Sequence, residues 1–274
     1  MQSDRISDMA TPSSRDLGRA LCIVTGASKG YGRSLALQIA HLLLPRSVLL
    51  LVARSADMLQ ALQVDLVPIV EQAGLLVRCV PTDLGLKAGI DTTVRVAKES
   101  AAADTDHVLL INNAASLGDV SRFAISFCDP AEVDAYLSLN VSSALSLTAG
   151  VLQAFPQRPG LRRTVVNISS LCALEPFPSW VLYCAGKAAR NMMFRVLAKE
   201  EPDVRVLNYS PGPMDTDMQA QAQSCSADPA LKQSFSIMHS QGKLLSCHES
   251  GAKLIRLLLE DEFPSGVHLD YYDL

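Results

Sequence analysis

The sequence predicts a single doubly wound α/β domain, a seven-stranded parallel sheet with helices on both faces. Short apolar runs alternate with longer amphipathic ones from Leu17 almost to the end, the rhythm of repeated βαβ units with right-handed crossovers. The short runs are rich in Val, Leu and Ile without strict alternation, as strands covered on both faces require. A glycine cluster stands between the first such run and the first helix, where a doubly wound sheet places its phosphate turn.

Taken in order, the predicted strands are Ala20–Thr25, Ser47–Ala53, Leu75–Pro81, His107–Asn112, Thr164–Ser169, Val204–Tyr209 and Val267–Asp270. Between them the helical period covers Gly32–Leu44, Asp57–Ala73, Lys87–Ala102, Pro130–Ala154, Trp180–Glu200 and His248–Glu260. One long stretch, Ser210 to about Ser246, reads as irregular and contains Pro211, Gly212, Pro213 and Pro229. Loops of that length inside compact domains are usually lids, and this one follows the sixth strand at the ligand-binding edge. Residues 1–16 are polar, with Asp4, Asp8 and Asp16, and are expected to form a disordered extension to a domain at 17–274.

Composition excludes several classes. The formal charge is −4 with no dense Lys/Arg run, which argues against a nucleic-acid or anionic-membrane partner. Seven cysteines form an odd set without a CxxC pair, so neither a metal site nor a disulfide framework is expected, and the compartment is read as reducing and cytoplasmic. No stretch reads as about 18 apolar residues free of charge or breaker, so no membrane span is expected. The acidic N-terminus has no apolar core of a secretion signal.

The loop after the first strand is Thr25-Gly26-Ala27-Ser28-Lys29-Gly30-Tyr31-Gly32. Glycines let the backbone approach a pyrophosphate, and a helix N-terminus offers free N–H groups and a positive dipole end. The spacing Gly-x₃-Gly-x-Gly differs from the common GxGxxG, so its position carries the cofactor assignment. At the end of the second strand Arg54-Ser55 occupies the place of the acid that would hold the 2′-hydroxyl of NAD. Arg54, with Lys29 as a second cation, favours the 2′-phosphate of NADP(H). Asp83-Leu84 and Asn112-Asn113 close the third and fourth strands; they could contact the cofactor or simply cap the following turns.

Tyr183 and Lys187 stand at i and i+4, on one face of a helix. An ammonium beside a phenol stabilises phenolate, lowering the Tyr pKa and suiting it to proton transfer. Ser170 ends the fifth strand 13 residues earlier and can hold a carbonyl oxygen against that phenol. Asn140 lies mid-helix, a poor place for Asn on propensity grounds, which points to a water relay behind Lys187 or to a satisfied buried amide. Phe177 and Trp180 flank a Pro-rich turn just before the Tyr and would wall the pocket or pack the core.

Together, the TGASKGYG loop, Asn112-Asn113-Ala114, Asn140, Ser170, Tyr183-Cys-Ala-Gly-Lys187 and Pro211-Gly212 resemble the short-chain dehydrogenase/reductase family. Ala115 departs from the usual NNAG. Longer runs are similar to the pterin-reducing members: Ile111–Val120, Arg163–Leu174, Tyr183–Arg190, Ser210–Met218 and Ser265–Asp273. The resemblance implies an NADPH-dependent Rossmann-type oxidoreductase that reduces the side-chain carbonyls of pterins. It also implies a cytosolic homodimer packed through the helices after the fourth and fifth strands. Carried over by position, Ser170, Tyr183 and Lys187 take the catalytic roles. Leu171, Gly212 and Asp270 would contact substrate, with Cys172, Phe177, Trp180 and Met218 lining the pocket. Met214, Asp215, Thr216 and Asp217 would border the nicotinamide. A broad carbonyl reductase for diketones, quinones or steroids shares the same catalytic set, and a non-catalytic NADP(H)-binding regulator would have lost it.

Overall fold

Leu21 and Ile23 point to one side of the first strand and Cys22 and Val24 to the other, and all four are fully buried. That is the signature of a strand with a core on each face. A computed structural model describes residues 16–274 and places this strand, β1 (Ala20–Thr25), in the interior of a sheet. The others are β2 (Val48–Ala53), β3 (Leu76–Pro81), β4 (His107–Asn112), β5 (Arg162–Ile168), β6 (Val204–Ser210) and β7 (His268–Asp270). All pair in parallel in the order β3-β2-β1-β4-β5-β6-β7, the expected seven-stranded sheet. The order reverses between β1 and β4, so the crevice of the switch point opens at their carboxyl ends. The expected extension over residues 1–15 lies outside the described residues; at Asp16 the carboxylate accepts a hydrogen bond from Gly18 N.

One face of the sheet carries α1 (Gly30–Ala40), α2 (Ala56–Ala73) and α9 (Cys247–Glu260), whose Leu35, Ile39, Leu59, Leu62 and Leu254 are fully buried. The other carries α3 (Lys87–Ser100), α5 (Ser143–Ala154) and α6 (Val181–Glu200), through Ala97, Leu147, Val151 and Phe194. Local chemistry sets the ends. Ser55 caps α2, Gly74 closes it in the left-handed conformation, and Ser246 with Glu249 forms a capping box on α9.

Two expectations are corrected. The stretch Pro130–Ala154 is not one helix: α4 (Pro130–Leu137) and α5 are joined by a π turn over Ser138–Ser142, with Asn140 inside it. By length and composition alone the stretch would pass for a membrane-crossing helix. Here its inner side packs on α3 and α6, and its other side stays exposed. The stretch Ser210–Ser246 holds two helices, α7 (Asp217–Cys225) and α8 (Pro229–Ser240), capped by Thr216 and Asp228.

Candidate active site

The glycine loop is built by contacts that leave no room for side chains. Gly26 takes φ 66°, and a Cβ there would fall 2.8 Å from Asn113 Nδ2. On Gly32 a Cβ would collide with Gly26 O, so the first turn of α1 lies tight against the strand end. Gly30 takes φ 53° and stays exposed. Lys29 caps α1 with backbone alone, its side chain making no cap bond, so the first-turn N–H groups stay available. These features fit a pyrophosphate. Tyr31 is turned inward, its hydroxyl accepting from Ser250 Oγ, so only its backbone faces the loop.

The other predicted cofactor residues divide. Ser28 is half-buried in the loop; Arg54 is exposed and makes no hydrogen bond or ion pair among the described residues, while the Ser55 hydroxyl is spent on Met58 N. Lys29 is already paired, its Nζ 2.6 Å from Asp217 Oδ2 at the start of α7. Asp83 accepts from Gly85 N, closing its own turn, and Leu84 packs under the sheet. Asn112 donates to Thr148 Oγ1 inside the protein, and Asn113 donates to Thr25 O and Gly26 O, bracing the glycine loop. Met214, Asp215 and Thr216 run beside the crevice; Met214 and Leu245 form a bridge, and Thr216 lies 3.6 Å from where a Gly30 Cβ would be.

At the chemical end, Ser170 caps a 3-10 turn, its Oγ accepting from Cys172 N at 3.2 Å. Tyr183 and Lys187 are both buried on the inner face of α6. Lys187 Nζ donates to Ile168 O at 2.7 Å and lies 5.4 Å from the Tyr183 ring centroid. Burial outweighs the expected ammonium–phenol coupling. It pushes the Tyr183 phenol above its ordinary value, helped by Cys172 and Tyr136 and opposed by the Ser170 hydroxyl and the Arg190 charge. It also holds Lys187 well below the usual lysine range, with Arg190 adding to the effect. Asn140 is a satisfied amide: Oδ1 accepts from Ser116 N, and Nδ2 donates to Ser116 Oγ and Tyr136 O. It nevertheless lines one small cavity with Lys187, beside Ala115 and Tyr136.

Cys172, Phe177, Trp180, Tyr183 and Met218 come together in one apolar cluster. The lid closes it: the Tyr183 hydroxyl points to Met218 Sδ at 3.9 Å, and Phe235 of α8 stacks on Trp180 at 5.2 Å and 13°. Trp180 also donates to Ser226 Oγ, so its ring face is covered by the lid in this structure. The turn leading into α6 is strained, with Ser179 at φ 68° and its buried hydroxyl unpartnered. Hydrogen bonding with Cys172 pulls the Cys184 thiol down to about 7 and pushes Cys172 up. Leu171 is exposed, and Gly212 at φ 74° packs closely on Leu245, whose Cδ1 a Cβ would meet at 2.8 Å. Asp270 pairs with Ser210 across β6 and β7; its Oδ2 accepts from Ser210 Oγ and its Oδ1 from Tyr272 N.

Sequence reasoning missed three of these features: the Lys29–Asp217 tie, Phe235, and Arg190. The last is buried to 1% exposure three residues beyond Lys187. An arginine one turn beyond Lys187, on the same face of α6 as Tyr183, was the available signal.

The comparisons agree with this geometry. The model of the family described as short chain dehydrogenase matches residues 20–226. The chain is 53% identical to sepiapterin reductase of Bos taurus over 258 residues, covering 94% of this chain and 96% of that protein. It is 49% identical to sepiapterin reductase of Xenopus tropicalis over 257 residues, covering 94% of this chain and 98% of that protein. Among solved structures, the enzyme KRED1-Pglu superposes with a TM-score of 0.77 at 26% identity, covering 91% of this chain and all of that one. A glycine cradle at the switch point, a buried Tyr and Lys on one helix face and that breadth of likeness lead to one assignment: this chain belongs to the short chain dehydrogenase family, nicotinamide-dependent oxidoreductases acting on carbonyl groups.

Proposed function

We propose that this chain uses NADPH to reduce the side-chain carbonyls of pterins, converting sepiapterin to 7,8-dihydrobiopterin and 6-pyruvoyl-tetrahydropterin to tetrahydrobiopterin. The observation that carries the reading is identity of about half to sepiapterin reductases, which extends well beyond residues 20–226. Exposed Arg54 at the selector position supports NADPH over NADH, because a guanidinium can fork onto a 2′-phosphate. Residues 17–274 act as one unit, the active form is a homodimer through α4, α5 and α6, and seven free cysteines support a cytoplasmic location.

In this reading the nicotinamide, bound along the glycine loop and Met214–Asp217, supplies the hydride. Burial keeps Tyr183 as a phenol at neutral pH, the form that can give a proton to the carbonyl oxygen. Ser170 has its oxygen engaged by Cys172 N, so its proton remains free to hold that same carbonyl. Lys187, anchored on Ile168 O, stands behind the phenol, with Asn140 beside it. Asp270, at the carboxyl edge of the sheet, accepts the paired N–H donors of the pterin ring.

The test is oxidation of NADPH and of NADH with sepiapterin, a simple diketone and a steroid ketone side by side. Preference for NADPH and for sepiapterin is expected. A diketone or steroid used as well as sepiapterin would replace the pterin reading with that of a broad carbonyl reductase.

A further inference from the structure

Arg190 heads the largest fully buried side chains among the described residues, and it has no carboxylate partner there. Its Nε donates to Asn167 Oδ1 at 2.8 Å, Nη1 to Ala114 O at 3.1 Å and Nη2 to Asn112 O. A full charge taken out of water onto neutral carbonyls is expensive, and an apolar side chain would fill the space without that cost. The fork does something an apolar side chain cannot. Asn112, Asn167 and Asn208 are register partners on β4, β5 and β6. Asn167 Nδ2 donates to Asn208 Oδ1 at 2.9 Å, and Asn208 Nδ2 to Gly266 O at 3.3 Å. Arg190 closes this row from α6, so the roll of that helix is fixed against the strand ends.

The charge also sits where it bears on the chemistry. Arg190 follows Tyr183 by two helical turns and Lys187 by one, all on one face, and helical side chains slope toward the N-terminus. With Lys187, Tyr136 and Asn140 it lines one small cavity. Tyr183 is faced by Cys172 and Ser170 from the turn after β5, by Tyr136 from α4, and by Met218 from α7. The acid on that last helix nearest in sequence, Asp217, is held by Lys29. From its own helix Tyr183 sees Lys187 and Arg190. Burial weakens the Lys187 ammonium, whereas Arg190, lowered to about 10, is still charged at neutral pH.

We propose that Arg190 is a positioning residue for proton transfer: it sets the aim of Tyr183 and Lys187 by closing the asparagine row, and it is the cation, charged at neutral pH, that stabilises the Tyr183 phenolate. The proposal rests on Tyr183 being the proton donor. A nearby cation favours the phenolate, and the phenol is the form active in reduction, so activity falls as pH rises through the Tyr183 pKa. Removing the cation moves that alkaline limb to higher pH, by about one unit for charges ~10 Å apart at an effective dielectric near 20.

The experiment is the pH profile of kcat/KM for sepiapterin with saturating NADPH, in the wild type, Arg190→Gln, Arg190→Lys and Asn167→Asp. Tyrosinate absorbance of each NADP+ complex is read in parallel, with the matching Tyr183→Phe protein subtracted. Arg190→Gln, which removes the charge, and Asn167→Asp, which neutralises it in place, are both expected to move the limb and the absorbance upward together. Arg190→Lys should lower kcat several-fold through loss of the fork and also move the limb upward, because burial weakens a lysine here as it weakens Lys187. An unmoved limb in Asn167→Asp, or in Arg190→Gln if it folds, would reduce Arg190 to a structural clamp. High turnover in Tyr183→Phe would instead remove the proton-donor reading, whatever the Arg190 variants show.

Discussion

Two hydroxyls divide the work at the scale of single residues. The Ser170 oxygen is committed to Cys172 N and its proton is free, while Tyr183 is buried and held in the phenol form. Replacing the donor, Tyr183→Phe, should lower kcat by about 10²–10⁴-fold while NADPH binding, followed by fluorescence, is retained. A variant keeping more than about a third of the wild-type kcat would sink the assignment. Asp270 has one internal donor on each oxygen, and a carboxylate has about four acceptor sites, so both oxygens can still receive a pterin. Asp270→Asn should reduce kcat/KM for sepiapterin by about 2–4 kcal/mol and leave a small diketone nearly unaffected. Equal losses for both would point to a collapsed sheet edge. The sequence made Ser170, Tyr183 and Lys187 legible because each is defined by spacing along one element. It misjudged their electrostatics, since desolvation depends on everything packed around them, and it passed over Arg190, whose partners come from two other strands.

Elements were legible to within a few residues wherever strand and helix periods were long. The lid was not: Asp217–Cys225 is rich in Gln and Ser and Pro229 follows closely, so α7 and α8 carry little apolar periodicity. The π turn at Asn140 was hidden for a different reason, because one extra residue in a turn shifts helical phase without changing composition. At the opposite end of the sheet from the site, β4 begins with a buried histidine. His107 Nδ1 lies 2.9 Å from Leu17 O and Nε2 2.9 Å from Thr164 Oγ1, and burial lowers its pKa to about 4. The unfolded chain, near 6.5, therefore binds a proton that the fold refuses as pH falls from about 6.5 to 4. Stability is complete above that window and should drop by about 3 kcal/mol across it. Thermal melts of His107→Gln across the same range should show a flatter pH dependence; an unchanged slope would exclude His107 as its source.

At the scale of the whole molecule, the sheet order placed the crevice correctly, and the surface supplies what a sequence period cannot. Leu145 on α5 and Val181, Met192 and Val196 on α6 are exposed at 37–55%, beside the apolar outer side of Pro130–Ala154. Such exposed apolar residues suit a covering partner, and the proposed homodimer would bury them. Met192→Lys with Val196→Lys should give a monomer in sedimentation analysis, with far-UV circular dichroism unchanged. A double variant that still sediments as a dimer would move the interface elsewhere.

The asparagine row also bears on how the chain finds its fold. Strands such as β1 and β2 are nearly uniform in apolar content, and a parallel sheet joins segments far apart in sequence, so slipped pairings compete during assembly. Sliding β5 by one residue would take Asn167 away from Arg190 Nε and from Asn208 Oδ1, leaving both without that partner in an apolar interior. The polar row thus acts as an alignment mark, making the correct pairing of β4, β5 and β6 the only one in which those groups are satisfied together.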